Sequence, residues 1–298
     1  MTERIDISDE LIAKIKTIQI KTTYLVTDVF AGEYESAFKG RGMEFEKVRE
    51  YQPGDDIRTI DWNVTARMGA PFVKEYREER ELTILFIVDL SGSSRFGSQK
   101  RFKNEVAAEV TALLAYTALV NNDKIGLIVF TDSVEHFLPP KKGRAHIWRV
   151  IRDILSFKPQ KRGTSITTAL DFVNKIASRR VVAFLISDFK DEGYEMLLRQ
   201  TARQHDLIAI SITDPREMKL PRVGLIALED AETGEIIIVD TYDKDIVTKY
   251  KNLVTQQNEK KISLLRSCGI DHIELSTEGQ YVDSLVKFFR LRERRRSR

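Results

Sequence analysis

Asp89, Ser91 and Ser93 stand at alternate positions directly after the apolar run Ile84-Leu85-Phe86-Ile87-Val88. Alternate residues of an extended segment share one side, so this spacing sends three oxygen-bearing side chains toward one point. A carboxylate with neutral hydroxyls suits a hard divalent cation, Mg2+ or another such as Mn2+. Asp188 closes a second apolar run, Leu185-Ile186-Ser187, and supplies another carboxylate. Two carboxylates held together repel, and one tends to keep a proton; a cation between them removes the conflict. A third source of oxygen is the Gly-hinged stretch Lys161-Arg162-Gly163-Thr164-Ser165-Ile166-Thr167-Thr168, which leads into a helix. Thr164 is its candidate ligand. Capping and first-turn roles alone would explain most of the other hydroxyls there. The expected metal set is therefore Asp89, Ser91, Ser93, Thr164 and Asp188, with no catalytic residue among them.

The elements that must position these residues alternate along the chain. Buried strands are expected at 82–89, 124–130, 181–187, 207–213 and 270–275, with a short edge strand at 131–138. Helices are expected near 101–121, 144–156, 166–178, 192–204, 243–266 and from about 280 onward. Leu225–Leu228 and Ile236–Val239 flank Asp-Ala-Glu-Thr-Gly-Glu and read as a β-hairpin. Such alternation predicts an α/β fold, a doubly wound and mostly parallel sheet with helices on both faces. Open sheets of this kind bind ligands beyond the strand C-termini, where strand order reverses. The strands ending at Asp89 and Asp188 are expected to be neighbours at that reversal.

Ahead of this domain, residues 9–21 have helical spacing, with Ser8 or Asp9 as a cap. Residues 39–80 carry nine basic and nine acidic residues with Gly and Pro breakers. They read as a small, irregular, partly extended N-terminal module held by internal ion pairs, with Trp62 as its anchor. A docking face is the second reading. The expected division is 1–80, 81–290 and a basic tail at 291–298.

Net charge is +3, but six arginines and one glutamate in 290–298 contribute +5, leaving the rest of the chain at −2. The body is therefore no general polyanion binder. A lone cysteine, Cys268, allows no internal disulfide, and His136, His146, His205 and His272 are scattered. The start, Met-Thr-Glu-Arg-Ile-Asp, is charged and no run approaches the ~20 apolar residues of a membrane helix. A cytoplasmic location is the expectation.

Asp89-x-Ser91-x-Ser93, Thr164 and Asp188 resemble the metal-ion-dependent adhesion site of von Willebrand factor A domains in order and spacing. Further motifs precede them: Gly40-Arg41-Gly42-Met43-Glu44-Phe45, Val48-Arg49-Glu50-Tyr51, Gly54-Asp55-Asp56-Ile57-Arg58 and Ile60-Asp61-Trp62-Asn63-x-x-Ala66-Arg67. Together they resemble the bacterial family known as domain of unknown function fifty-eight, whose members carry such an A domain. The resemblance spans roughly residues 30 to 290. It implies a protein-binding module that partners a MoxR-type AAA+ ATPase in chaperone-like maturation of client proteins. An acidic residue of the ATPase or client would complete the ion's shell. Movement of the last helix, 280–292, is a further implication. One departure is Ser94, where the family often has Met, and that position is not a ligand.

Two other classes compete. In a hydrolase, Ser91 would be the nucleophile and His272 the base, but Asp89 stands where Gly-x-Ser-x-Gly needs glycine. A nucleic-acid or anionic-membrane binder would use Arg290–Arg298; a solvated tail is the simpler reading of that run.

Overall fold

The computed structural model describes residues 15–18, 22, 25, 26, 31–38, 43–78, 81–98 and 101–296. The expected cap at Ser8 or Asp9, most of helix 9–21, Gly40-Arg41-Gly42 and the last two residues of the tail lie outside them.

Six strands form the central sheet: β3 (Thr83–Asp89), β4 (Lys124–Phe130), β5 (Val134–Lys141), β6 (Val182–Ser187), β7 (Asp206–Thr213) and β10 (Asp271–Ser276). Their order is β10-β7-β6-β3-β4-β5, with every pair parallel except β4 and β5. The chain leaves β3 toward β4 and β5, then returns to the other side of β3 to lay down β6, β7 and β10. Strand order thus reverses between β3 and β6.

These strands are apolar throughout because both faces are covered. Ile84, Phe86 and Val88 of β3 enter one core cluster, and Leu85 and Ile87 enter the other. The period-two alternation of a strand makes this division. Helices α3 (Lys103–Val120), α4 (Arg144–Ser156) and α9 (Tyr281–Arg296) cover the first face; α5 (Ile166–Ile176) and α6 (Glu195–Gln204) cover the second. Phe86 and Phe184 stack across the β3–β6 boundary with centroids 5.5 Å apart. Truncating such a fully buried Phe costs about 3–5 kcal/mol.

Helix α1 (Ala31–Phe38) joins the first face rather than the charged segment that follows it. Tyr34 donates to Asp123 at 2.9 Å, and its ring meets Phe289 edge-on. Arg292 of α9 is buried, pairs with Asp206 and Asp271, and lies 4.8 Å from the centre of the Phe38 ring. The basic run expected as a tail therefore begins inside the domain.

The charged segment is an antiparallel pair, β1 (Met43–Glu50) and β2 (Phe72–Glu78), joined through a short helix α2 (Trp62–Met68). Asp61 caps α2 by accepting the Asn63 and Val64 amides, and Gly69 ends it at φ 72°. Ion pairs Arg49–Asp55, Lys47–Glu75 and Lys74–Asp61 tie the segment together, as expected of it. Trp62 does not anchor it: the residue is 66% exposed. A seven-residue helix on two strands offers no second layer in which to bury an indole.

A short helix α7 (Pro215–Met218), a second hairpin, β8 (Leu225–Glu229) with β9 (Ile236–Asp240), and a long helix α8 (Lys244–Ser267) lie between β7 and β10. Leu225, Ile236, Ile237 and Ile238 on this hairpin are all more than half exposed. No helix among the described residues is long and apolar enough to cross a membrane.

Candidate functional site

Val88 of β3 pairs with Ile186 of β6, so Asp89 and Ser187 leave the sheet side by side, and Asp188 follows one residue on. Ser187 Oγ donates to Asp89 Oδ2 at 2.6 Å, and the Ser91 amide donates to Asp89 Oδ1 at 2.9 Å. The hydroxyls of Ser91 and Ser93 are 3.2 Å apart. Ser93 and Asp188 line the same small cavity. Extended spacing is not what gathers these oxygens. After Ser91 the chain winds into a 3-10 turn, Gly92–Arg95, with the Ser94 amide and hydroxyl both donating to the Ser91 carbonyl. The turn folds Ser93 back toward the strand end.

The two carboxylates are shifted in opposite directions. Burial, then the charge of Asp188, pushes the Asp89 carboxyl up to about 7, against the hydrogen bonds from Ser187 and Ser91. Burial also disfavours ionised Asp188, but the ammonium of Lys103 and then that of Lys190 outweigh it and hold Asp188 below the usual carboxylate range. Lys103 Nζ donates to Asp188 Oδ2 at 3.0 Å and to Glu217 Oε1 at 2.7 Å. Lys190 donates to the same Glu217 oxygen at 2.6 Å. Asp188 thus has its counter-cation, and Asp89 has only hydrogen bonds. A cavity of about 10 Å³ lies against Asp89, Ser93, Lys103, Ser187 and Asp188, about enough for one water-sized occupant. Phe189 follows at φ 61° while buried, with its amide on Ser187 Oγ. A left-handed aromatic residue stores local strain beside the site.

Thr164 stands in the adjoining loop. That loop is fixed to the site by the Gly92 amide donating to the Arg162 carbonyl at 2.8 Å. The Thr164 hydroxyl donates to Glu232 Oε1 at 2.6 Å. Of the five expected ligands, Asp89, Ser91 and Ser93 are linked by hydrogen bonds, Asp188 lines the same cavity, and Thr164 is engaged by a residue 68 positions away. Thr168 serves the helix cap, its amide and hydroxyl both on Ser165 Oγ.

Glu232 sits at the tip of the β8–β9 hairpin. Burial pushes its carboxyl up; the Thr164 hydrogen bond opposes this, and Asp188, Asp230 and Asp191 reinforce it. The neighbouring Ala231 carbonyl lies so close to Gly92 that a Cβ there would stand 2.2 Å from it. Glycine at 92 is what allows the tip to cover the turn.

Sequence reasoning did not select Ser187, Lys103 or Glu232. Ser187 was legible as the hydroxyl preceding Asp188. Lys103 and Glu232 carry no local signal, since each reaches the site from a distant element. His272, the base of the hydrolase reading, faces Ser211 with 2.7 Å between Nε2 and Oγ, not Ser91. Burial, then Lys261, pushes it down to about 4.

Among the described residues, no three His, Cys, Asp or Glu side chains come together in a way that could hold a metal. Any cation here would depend on hydroxyls as much as on acids. The residues present fit one: a buried carboxylate short of positive charge, two neighbouring hydroxyls and a second carboxylate, all hard oxygen donors.

Fold and site together define an α/β protein with a buried carboxylate–hydroxyl cluster at its sheet's reversal point. The chain belongs to the family described as Protein of unknown function DUF58, which matches residues 47–260. It is 29% identical over 293 residues to uncharacterized protein Rv1480 of Mycobacterium tuberculosis, covering 97% of this chain and 92% of that one. Uncharacterized protein YeaD of Bacillus subtilis is 27% identical over 107 residues, 36% of this chain and 25% of its own. Among solved structures, BatB from Bacteroides thetaiotaomicron aligns over 72% of this chain and 99% of its own at 14% identity, with a TM-score of 0.48. An aerotolerance-related membrane protein from Bacteroides fragilis gives the same coverages at 15% identity and a TM-score of 0.49.

Proposed function

We propose that this protein is a non-catalytic, metal-dependent protein-binding module, similar to a von Willebrand factor A domain with its adhesion site. The observation that carries this reading is the gathering of Asp89, Ser91, Ser93, Ser187 and Asp188 at the β3–β6 reversal. Asp89, Ser91 and Ser93 would hold Mg2+ or Mn2+, with Asp188 direct or through water and Thr164 joining from its loop. When bound, the ion supplies a Lewis-acidic point that an external carboxylate can complete. The chain's own part is to bury the donors, orient them through the Ser187 and Ser91 hydrogen bonds, and keep Asp188 ionised with Lys103. The partner is then a protein presenting an acidic residue. On the family resemblance we assign it as a MoxR-type AAA+ ATPase or that ATPase's client, in a cytoplasmic, chaperone-like maturation role.

Affinity capture from a bacterial lysate tests this, with Mg2+ or with chelator, on wild type and Asp89→Ala. The expected result is an AAA+ ATPase retained by wild type in Mg2+ alone. Retention indifferent to both the metal and Asp89 would overturn the reading.

A further inference from the structure

The β8–β9 tip touches two loops of the candidate site at once. Glu232 reaches Thr164, and the Ala231 carbonyl rests on Gly92. The tip is shaped to present that side chain. Asp230 Oδ1 accepts the amides of Glu232 and Thr233 at 2.8 and 2.9 Å, and the Asp230 amide donates to the Glu235 carbonyl at 2.8 Å. Gly234, at φ 74°, completes the turn. The stem is different: its strands pair with each other, and Leu225, Ile236, Ile237 and Ile238 lie open to solvent. Beyond the tip, the hairpin is tied at its base through Thr241, whose hydroxyl meets residues 223 and 224. Lifting the tip would uncover little of the core.

A hydroxyl and a carboxylate that serve one ion must be close neighbours, and Thr164 and Glu232 already are. Glu229, Asp230, Glu232 and Glu235 also make this turn acidic, the chemistry expected of a partner segment. We propose that the hairpin tip is the resident occupant of the docking face. Glu232 holds in cis the place beside Thr164 where a partner's carboxylate docks, and an acidic partner binds by displacing the tip. The proposal rests on the metal-dependent reading above and adds what covers the site when no partner is present.

The test uses the full chain with Mn2+ as the ion and a disulfide-closed peptide carrying residues 228–237 as the acidic probe. Mn2+ uptake, followed by loss of the free-ion resonance signal, is measured first on wild type and Asp89→Ala. Peptide affinity is then compared among wild type, Glu232→Ala and a chain in which residues 230–235 are replaced by Asn-Gly, a turn that closes a two-residue hairpin. An intramolecular competitor acts at an effective concentration near millimolar, so both altered chains should bind the peptide about a hundredfold more tightly than wild type. That gain should vanish with chelator and with a peptide bearing Glu232→Ala. Asp89-dependent Mn2+ uptake with equal peptide affinity in all three chains would overturn the resident-tip proposal and leave the metal site standing. Absence of Asp89-dependent uptake would remove both.

Discussion

Arg49 holds Asp55 at 2.7 Å on the N-terminal hairpin, and Lys103 holds Asp188 at 3.0 Å beneath the sheet's reversal point. The side chains of the first pair are 35% and 21% exposed, and those of the second 4% and 3%. Both regions are dense in charge, and both satisfy it by pairing cationic side chains with carboxylates. In the hairpin, water screens each pair and many alternatives cost nearly the same. Beneath the sheet, bulk water does not screen the pair, so each charge depends on the others. Dense surface charge holds a small module together loosely. The same groups, buried, fix protonation states and leave one acid, Asp89, short of a cation.

Removing one partner from each pair breaks the comparison most directly. Lys103→Met should destabilise the protein by about 3–5 kcal/mol, the cost of stranding a buried charge. Arg49→Ala should leave the midpoint of thermal unfolding unchanged within the scatter of replicate scans. Equal losses from the two substitutions would erase the distinction.

A smaller effect concerns Asp89. Its carboxyl is raised to about 7 in the folded chain, against roughly 4 for an unperturbed Asp. Between those values the folded state binds more protons than the unfolded state, so stability should fall as pH rises from about 4 through about 7. The loss is on the order of a few kcal/mol. It should be reversed at pH 8 by millimolar Mg2+ and be absent in Asp89→Asn. Calorimetric scans across pH, with and without the ion, measure this. A wild-type profile unmoved by Mg2+ would mean the acid's deficit is met some other way.

The smallest expected effect lies in the N-terminal module. Trp62→Ala should change stability by no more than about 0.5 kcal/mol, as for other surface positions. A larger loss in urea unfolding would show that the indole is covered in solution after all.

Much of the architecture was legible because its causes are local. Helix α4 begins at Arg144 and ends at Ser156 as its apolar spacing requires, and β4 spans Lys124–Phe130 as read. The neighbouring placement of the two strands that lead into Asp89 and Asp188 followed from strand alternation and the reversal rule. What remained hidden is what a linear pattern does not carry. The turn at Gly92–Arg95, not extended spacing, gathers Ser93. Glu232 sits in a run that announces a hairpin but not which loop the hairpin touches. Trp62 reads as an anchor by residue type, yet burial depends on a second layer that the small module lacks. The division at residue 80 places 31–38 with the charged module, and the apolar residues of α1 join the sheet's core instead.

That last packing has a consequence in time. Arg292 donates to the Ala37 carbonyl across 255 residues. Synthesis runs at roughly 5–20 residues per second, so α1 waits on the order of ten to fifty seconds for α9. Throughout that interval Tyr34 and Phe38 have no Phe289 to meet, and the part of that face that α9 covers has no α9. The contact between α1 and α9 cannot form until α9 has been made.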